Sequence, residues 1–457
     1  MKPIVRKKFH EMFGLSTAMH RLLLAVSALL LMLNGCAHKA DYERLYAQLQ
    51  KGECRSAVRQ LEASQADYGE NARLLFLLDS AMVNLQCRNF EAAQEKFHAA
   101  ERLAEELWTE SLSRQAASLV TNEYLLKYAG EDYERALINM MSALGYLQAG
   151  RFDDALIECR RLDSLLSLFN DKYEEKNVYK EDAFGRYLSG ILHEADRSLD
   201  DAFIDYRKAY ETYQDYKTHY GTVAPPTLVD DLVRVAAAVD RTEEIKALLP
   251  DMEGPRDLSH AKSRLLGKVV FIQLSGRAPV KTQGQLVLPT GAGPVAIAYP
   301  RLLLVPADCE YHRLTLSSEE GHYETELALA EDIGRIALKN LEDKKARIMV
   351  KTVARAVAKQ AIINNLAKSS DDRNTEMALR AALNIANLFL ERADTRSWRT
   401  LPGEIYMTRL FVPPGEYRAA AIACGNHPHK LKNVLVEAGK THYIVHDSRY
   451  AAASSDN

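Results

Sequence analysis

The chain has 457 residues, of which 47% are hydrophobic and 26% are charged. A chain of this kind can bury ordinary cores, and about 420 mature residues predict two or three domains. The formal net charge is −3. Residues 1–21 carry five basic residues and one acidic residue (+5 − 1 = +4), so the rest of the chain carries about −7. This charge disfavours a nucleic-acid partner.

The N-terminus has the pattern of an export signal. A basic stretch precedes the apolar run Leu22 to Leu33, which is too short to span a bilayer and ends in Leu-Asn-Gly-Cys. This tetrapeptide resembles the bacterial lipoprotein signal, which implies that residues 1–36 are a signal peptide and that Cys36 becomes lipidated. Ala37 follows the cysteine, which by the same resemblance implies the outer membrane, with the body in the periplasm. Translation could start at Met1, Met12 or Met19.

Residues 37–249 have the pattern of paired helices. In the stretch Tyr133 to Leu162, Ala143 and Tyr146 share one helical face, and Ala155 and Cys159 recur on the next helix. Small residues at such positions let two antiparallel helices approach closely, as in the 34-residue tetratricopeptide repeat. Weaker copies of the pattern occur on both sides. The sequence therefore predicts a tetratricopeptide-like helical array.

Five tyrosines follow one another on the last predicted repeat, at steps of three and four residues. This spacing places them on one face of a helix. Tyr213, Tyr216 and Tyr220 lie beyond the repeat consensus, so we expect them to line a groove that binds an unknown protein or peptide. Packing between helices is the alternative for such a face, and it is the one favoured for Tyr206.

The second half of the chain changes from helical to alternating periodicity. We predict a linker at 250–266 and a β-rich domain at 267–450, similar to small sandwiches, with helices inserted at 329–366 and 375–392. Residues 451–457 are predicted to be a disordered tail. The predicted fold class is therefore multidomain α + β, with a helical repeat array followed by a mixed β-sandwich-like domain.

A row of basic residues repeats every four positions on the first inserted helix: Arg347, Lys351, Arg355 and Lys359. Like charges at this spacing repel one another, so the row predicts a compensating anion such as a lipid phosphate or the acidic face of a partner. A solvated helix face is the commoner explanation. Val350, Val353, Val357 and Ala361 form an apolar stripe on the same helix.

The segment from Glu391 to Pro402, ERADTRSWRTLP, combines arginines and acids around a tryptophan. Arg392, Asp394, Arg396 and Arg399 could form an ion-pair network that seats Trp398 between arginine planes. We favour a structural clasp that joins helix to sandwich, and an anion site is the alternative.

This segment, together with GEDYERALINMMSALGYLQAGRFDDALIECRR and KTVARAVAK, resembles an uncharacterised family of bacterial tetratricopeptide-repeat lipoproteins. The resemblance covers nearly the whole mature chain. It implies an envelope scaffold, similar to proteins encoded near lipoproteins that resemble activators of penicillin-binding proteins.

The cysteines and histidines suggest two further sites. Cys54 and Cys87 lie near helix turns one repeat apart, so we hypothesise a disulfide between them. Cys424, His427 and His429 make C-x2-H-x-H, which could hold zinc, although incidental residues of a surface turn are the better explanation. We expect no cofactor, because the sequence has no phosphate loop, nucleophile elbow or H-E-x-x-H motif.

Two functions remain open from the sequence. The first is a scaffold that is anchored to the membrane through lipid, binds a protein or peptide through the helical repeats, and contacts the cell wall as a further partner. Its process would be the regulation of peptidoglycan synthesis. The alternative is an envelope enzyme, or an enzyme activator, acting on peptidoglycan or polysaccharide. We predict that the protein is not an enzyme, since no catalytic motif is recognisable.

Overall fold

The computed structural model describes residues 41–113, 124, 126–173, 179–249, 259–290, 293–305, 311–319, 321–368, 373, 376–377, 379–383, 392–423 and 428–450. The predicted signal peptide, the predicted lipidation site Cys36 and the predicted tail 451–457 lie outside these residues. Among the described helices, none is long and apolar enough to cross a membrane.

Paired helices make up the first half of the described chain. They are α1 (Tyr42–Gln50), α2 (Cys54–Ala63), α3 (Gln65–Tyr68), α4 (Arg73–Gln86), α5 (Phe90–Ser113), α6 (Asp132–Gln148), α7 (Phe152–Tyr173), α8 (Ala183–Ala195), α9 (Leu199–His219), α10 (Pro226–Ala238), α11 (Thr242–Leu248) and α12 (His260–Ser263). Consecutive long helices pack as hairpins, with α4 on α5, α6 on α7 and α8 on α9.

The same turn closes the described hairpins. The left-handed turn residues are Gly52, Arg88, Gly150, Arg197 and Asp240, all at φ between 58° and 74°. In each turn the next N–H donates to the carbonyl five residues back, at 2.8–2.9 Å, which is the bond that ends a helix in a Schellman motif. Repetition of one turn geometry gives successive hairpins the same shape.

Small residues set the spacing between helices. An alanine lies five positions after the first four of those turns, at Ala57, Ala93, Ala155 and Ala202, and each is fully buried. A side chain at Gly190 would lie 2.5 Å from the ring of Tyr206, so α8 and α9 can approach only because this residue is glycine. These contacts follow the predicted small-residue pattern.

Strands dominate the second half, together with one long helix. They are β1 (Gly267–Ser275), β2 (Arg277–Thr290), β3 (Gly293–Val305), β4 (His312–Ser317), β5 (His322–Glu326), β6 (Ala328–Asp332), α13 (Ile333–Lys368), β7 (Glu404–Val412), β8 (Gly415–Ala423), β9 (His429–Lys430), β10 (Val434–Val436) and β11 (Thr441–Asp447). One sheet has the order β11-β1-β7-β6, and another has the order β10-β8-β4-β5, with β9 beside β8. Strands β2 and β3 pair as a separate hairpin.

The side chains of the central strand β1 point alternately to its two faces, and each face packs into a different hydrophobic core. Val270 and Ile272 face the helices, whereas Val269 and Phe271 face the second sheet, where Leu314 lies. The core of the helical half extends into the strand-rich half, so the two halves share one core. The predicted α + β class is confirmed in this coarse form, while the assignment of the hairpins to tetratricopeptide repeats stays a prediction.

Three predicted boundaries need correction. Residues 329–332 belong to strand β6, which pairs with β7, and α13 begins only after Asp332, whose carboxylate caps the backbone N–H of Arg335 at 2.8 Å. Within the predicted helix 375–392, described residues 376–377 and 379–383 are helical, but Arg392 lies beyond any helix. In the predicted linker, the described residues 259–266 include α12, which packs on α10.

Candidate functional site

The predicted tyrosine groove is wrong. Tyr213, Tyr216 and Tyr220 are at most 3% exposed, so they cannot line an open surface. The hydroxyl of Tyr213 donates to the carbonyl of Ala330 at 2.9 Å, and that of Tyr216 donates to the carboxylate of Glu331 at 3.3 Å. The strand-rich half thus covers this face of α9, and the tyrosines attach the two halves to each other.

The segment 392–403 is called the strap below. It runs along the side of the array that is formed by the first helix of each pair. We call that side, formed by α1, α4, α6, α8 and α10, the first-helix face. The indole of Trp398 is 1% exposed and meets Phe97 edge-on, with ring centroids 6.5 Å apart. The backbone N–H of Trp398 donates to Glu134 at 2.7 Å, and its indole N–H donates to Thr400 at 2.9 Å. These contacts hold the strap in the core.

The arginines of the strap serve the same attachment. Arg396 donates to both oxygens of Asp394 at 2.7–2.8 Å and to the carbonyls of Asn71 and Leu126. The guanidinium of Arg399 lies 4.3 Å from the ring of Tyr42. The segment therefore is a structural clasp, as predicted. It fastens the strap to the helical array, whereas the predicted clasp joins a helix to the sandwich. The predicted seating of Trp398 between arginine planes is wrong, and Arg392 is exposed at the start of the strap.

A row of four buried acids on the first-helix face accepts hydrogen bonds from the strand-rich half of the chain. They are Asp79 on α4, Glu134 on α6, Glu194 on α8 and Asp231 on α10. Asp79 accepts from Thr400 at 2.7 Å and from two tyrosine hydroxyls. Burial raises the pKa of both Asp79 and Glu134. The sequence analysis missed this row. The available signal was an acid inside an apolar helix, as in LLFLLDSAMV.

Glu194 is the centre of the strongest ion-pair cluster. It accepts two bonds from Arg234 at 2.8 Å, one from Lys268 at 2.7 Å and one from Arg409 at 2.9 Å. Arg409, which is fully buried on β7, also donates to Asp231 at 2.7 Å. Burial opposes ionisation of Glu194, but Arg409 and Arg234 outweigh it and hold the pKa of Glu194 well below its usual range. This cluster, like the strap, joins the two halves.

An open pocket of about 450 Å³ lies between α5, α6 and α7, away from the strap. Its lining includes Glu101, Trp108, Asn139, Ile157, Arg161 and Leu168. Ile157 and Leu168 are nearly half exposed, so the rim of the pocket is apolar. The pocket combines an apolar mouth with fixed polar groups, which is the usual composition of a binding site.

Two carboxylates beside this pocket share their donors. Asn139 donates to Glu101 at 2.9 Å and to Glu158 at 3.1 Å, and Arg161 donates to both at 3.4 and 3.0 Å. His98, whose ring nitrogen lies 3.9 Å from the carboxylate, lowers the pKa of Glu101 together with Asn139 and Arg161 despite its burial, whereas burial raises the pKa of Glu158. The pair can orient a ligand, and the opposed pKa shifts also suit an acid and a base.

The predicted basic face on α13 is only partly present. Arg355 is buried, Lys351 and Lys359 are half-buried, and the side chain of Arg347 lies outside the described residues. The apolar stripe of this helix is exposed, with Val350 and Val357 at 70% and 62%. The helix contacts the β2–β3 hairpin through its other side, so the valines face outward.

The disulfide hypothesis is confirmed. Cys54 and Cys87 are bonded with their Cα atoms 5.4 Å apart, and Cys159 is buried and free. Of the zinc candidates, Cys424 and His427 lie outside the described residues. His429 stacks on His446 with ring centroids 4.9 Å apart. Within the described part of the chain, no group of three or more metal-ligating side chains comes together.

Comparisons with known proteins add little. No model of a known protein family matches the chain, and no curated protein matches it. One solved structure, described as "Crystal structure of BtubC (BKLC) from P. vanneervenii", aligns with 53% of this chain and 97% of its own length. The two sequences are 16% identical over the alignment, and the TM-score is 0.29. This likeness is too slight to support an argument about fold or function.

Proposed function

We propose that the protein is a scaffold lipoprotein of the bacterial cell envelope, tethered to the outer membrane through Cys36 with its body in the periplasm. In this proposal the helical pairs are a tetratricopeptide-like array that binds a protein partner. Regulation of peptidoglycan synthesis is the process in which we place that partner. The lipoprotein signal of the sequence supports the anchor, and the open pocket on α5, α6 and α7 supports the binding role.

The pocket is the observation that supports the binding role, because the first-helix face of the array is already covered by other parts of the chain. The strap and the first sheet occupy the first-helix face, whereas Ile157 and Leu168 remain exposed around a cavity with Trp108 in its wall. A rim of this kind fits an apolar side chain of a partner, and the bonded pair Glu101 and Arg161 offers polar contacts beside it.

Photocrosslinking in intact cells tests this role. Benzoylphenylalanine placed at Ile157 and, separately, at Leu168 should crosslink to one and the same partner protein, identified by mass spectrometry. The Ile157→Asp variant should no longer copurify with that partner. Ile204 on α9 is a matched control, since it is similarly exposed but lies outside the pocket lining. An adduct of equal yield from Ile204, or copurification that survives Ile157→Asp, would refute the assignment of the pocket.

The anchor has its own test. In the full-length protein, Cys36→Ser should abolish incorporation of a labelled fatty acid and release the protein from the membrane fraction. Labelling that persists in this variant would place the lipid elsewhere.

A second candidate function is hydrolysis of peptidoglycan or another envelope polysaccharide. The observation that favours it is the pair Glu101 and Glu158, whose pKa values are shifted in opposite directions beside the pocket. Purified protein should then release sugar fragments, and Glu101→Gln or Glu158→Gln should lower the rate at least 100-fold. Absence of turnover on both substrates by the unaltered protein would exclude this candidate.

A further inference from the structure

A long arm leaves the body of the protein. It consists of α13 beyond Lys344 and of the β2–β3 hairpin beyond Gln283, and the name "arm" is used below for this unit. Lys344 donates to Glu131 at 3.0 Å and bonds Asp132 at 2.8 Å, and the side-chain oxygen of Gln283 accepts from the backbone N–H of Ala393. Beyond Lys344 the helix continues to Lys368, which adds roughly 36 Å.

The helix of the arm is turned with its apolar side outward. Its inner side meets Val295 and Ile297 of the hairpin through Ala356 and Met349, and it also buries the polar residues Thr352, Arg355 and Gln360. The outer side exposes four large apolar residues: Val350, Val353, Val357 and Ile362. An apolar stripe on the outer side of a helix has no role in the core, so it indicates an external surface that it contacts.

The charge of the arm restricts what that surface can be. Residues 345–368 contain six basic residues and no acidic one, and residues 284–299 of the hairpin contain no charged residue at all. Leu286 and Val287 of that hairpin are also exposed. Pairing with the same helix of a second copy would bring like charges together, which is unfavourable. A surface that combines negative charge with an apolar interior complements both features.

We propose that the arm docks on an anionic lipid surface. The valine stripe enters the boundary between headgroups and acyl chains, and Lys351, one position after Val350, lies next to the lipid phosphates. The inference rests on the membrane location in the proposed function. Asp41 lies five positions after Cys36, a span of at most about 18 Å, so anchoring would hold the start of α1 near the bilayer and raise the local concentration of the arm at the membrane. The arm would then fix the orientation of the body.

Vesicle flotation with the purified full chain carrying Cys36→Ser tests the proposal without the acyl anchor. The protein should float with vesicles of 70% phosphatidylcholine and 30% phosphatidylglycerol by lipid content, and should not float with phosphatidylcholine alone. Val350→Asp/Val357→Asp should abolish flotation. Lys351→Ala should lower the partition coefficient about 5-fold, and raising the salt to 0.5 M should weaken binding further.

Controls separate this inference from the pocket. Ile157→Asp removes an exposed apolar residue of the array and should float like the unaltered protein, while the valine variant should keep the crosslink at the pocket. Val350, Val357, Lys351 and Ile157 are all at least partly exposed, and intrinsic tryptophan fluorescence will show that each variant is folded. Flotation on neither vesicle, or equally on both, would overturn the proposal. A dimer in sedimentation that the valine variant converts to monomer would overturn it in favour of a second copy.

Discussion

Neutralising Glu194 is the sharpest test of how the two halves are joined. The buried cluster has three cations, Arg234, Lys268 and Arg409, against the two acids Glu194 and Asp231. Glu194→Gln keeps the shape of the side chain but leaves one acid for three cations. Removing one partner of a buried ion pair costs about 3–5 kcal/mol, which is a large part of a typical unfolding free energy of about 5–15 kcal/mol.

The assay is urea unfolding, followed by the intrinsic fluorescence of the two tryptophans, Trp108 and Trp398. Glu194→Gln and Arg409→Met should each lose about 3–5 kcal/mol, whereas Glu194→Gln/Arg409→Met keeps the net charge of the cluster and should lose clearly less than the sum. Burial already lowers the pKa of Lys268. In Glu194→Gln, deprotonation of Lys268 removes one of the excess positive charges. The loss of unfolding free energy in this variant should therefore shrink as the pH rises. A loss below 1 kcal/mol in Glu194→Gln, or strictly additive losses, would refute the reasoning.

Three further changes should be measurable by the same unfolding assay or by circular dichroism. Trp398→Ala should cost about 3–5 kcal/mol and free the strap to proteolysis, and an uncleaved strap would contradict its role as a clasp. Cys54→Ser/Cys87→Ser should cost about 3–4 kcal/mol for the loop that the bond closes, whereas Cys159→Ser tests only packing; equal losses would argue against the disulfide. Burial and the neighbouring His429 lower the pKa of His446 to about 4, so stability should fall as the pH drops from 6.5 to 4, by about 3 kcal/mol in total, and His446→Phe should abolish this fall.

Features that depend on neighbours in the chain could be predicted from the sequence. The turn at Gly150 and the small residue Ala155 five positions later define a hairpin by themselves, because both the left-handed backbone and the close helix approach are local requirements. Strand β7 could likewise be delimited at its observed ends, since Pro and Gly residues surround it. The pairing of Cys54 with Cys87 follows from the same repeat spacing.

Features that depend on distant contacts could not be predicted. Helical spacing shows that Tyr213 and Tyr216 share a face, but the residues that cover this face lie more than 100 positions later, at Ala330 and Glu331. The same limit applies to α13, where periodicity identifies the valine stripe correctly and yet gives no information about which side meets the hairpin. Sequence periodicity shows which residues share a helix face. Whether that face is buried depends on distant segments of the chain that pack against it.

The joining contacts also decide where a partner can bind. Releasing the strap would expose Trp398, break the bond from its backbone N–H to Glu134, and break the bond from Thr400 to Asp79. Separating the halves would break the pair between Arg409 and Glu194. Together these losses are on the order of 10 kcal/mol, comparable to the whole stability of a domain. A partner that had to displace the strap would therefore have to unfold the protein. For this reason the first-helix face acts as an internal joint, and ligands should be sought at the outer pocket and along the arm.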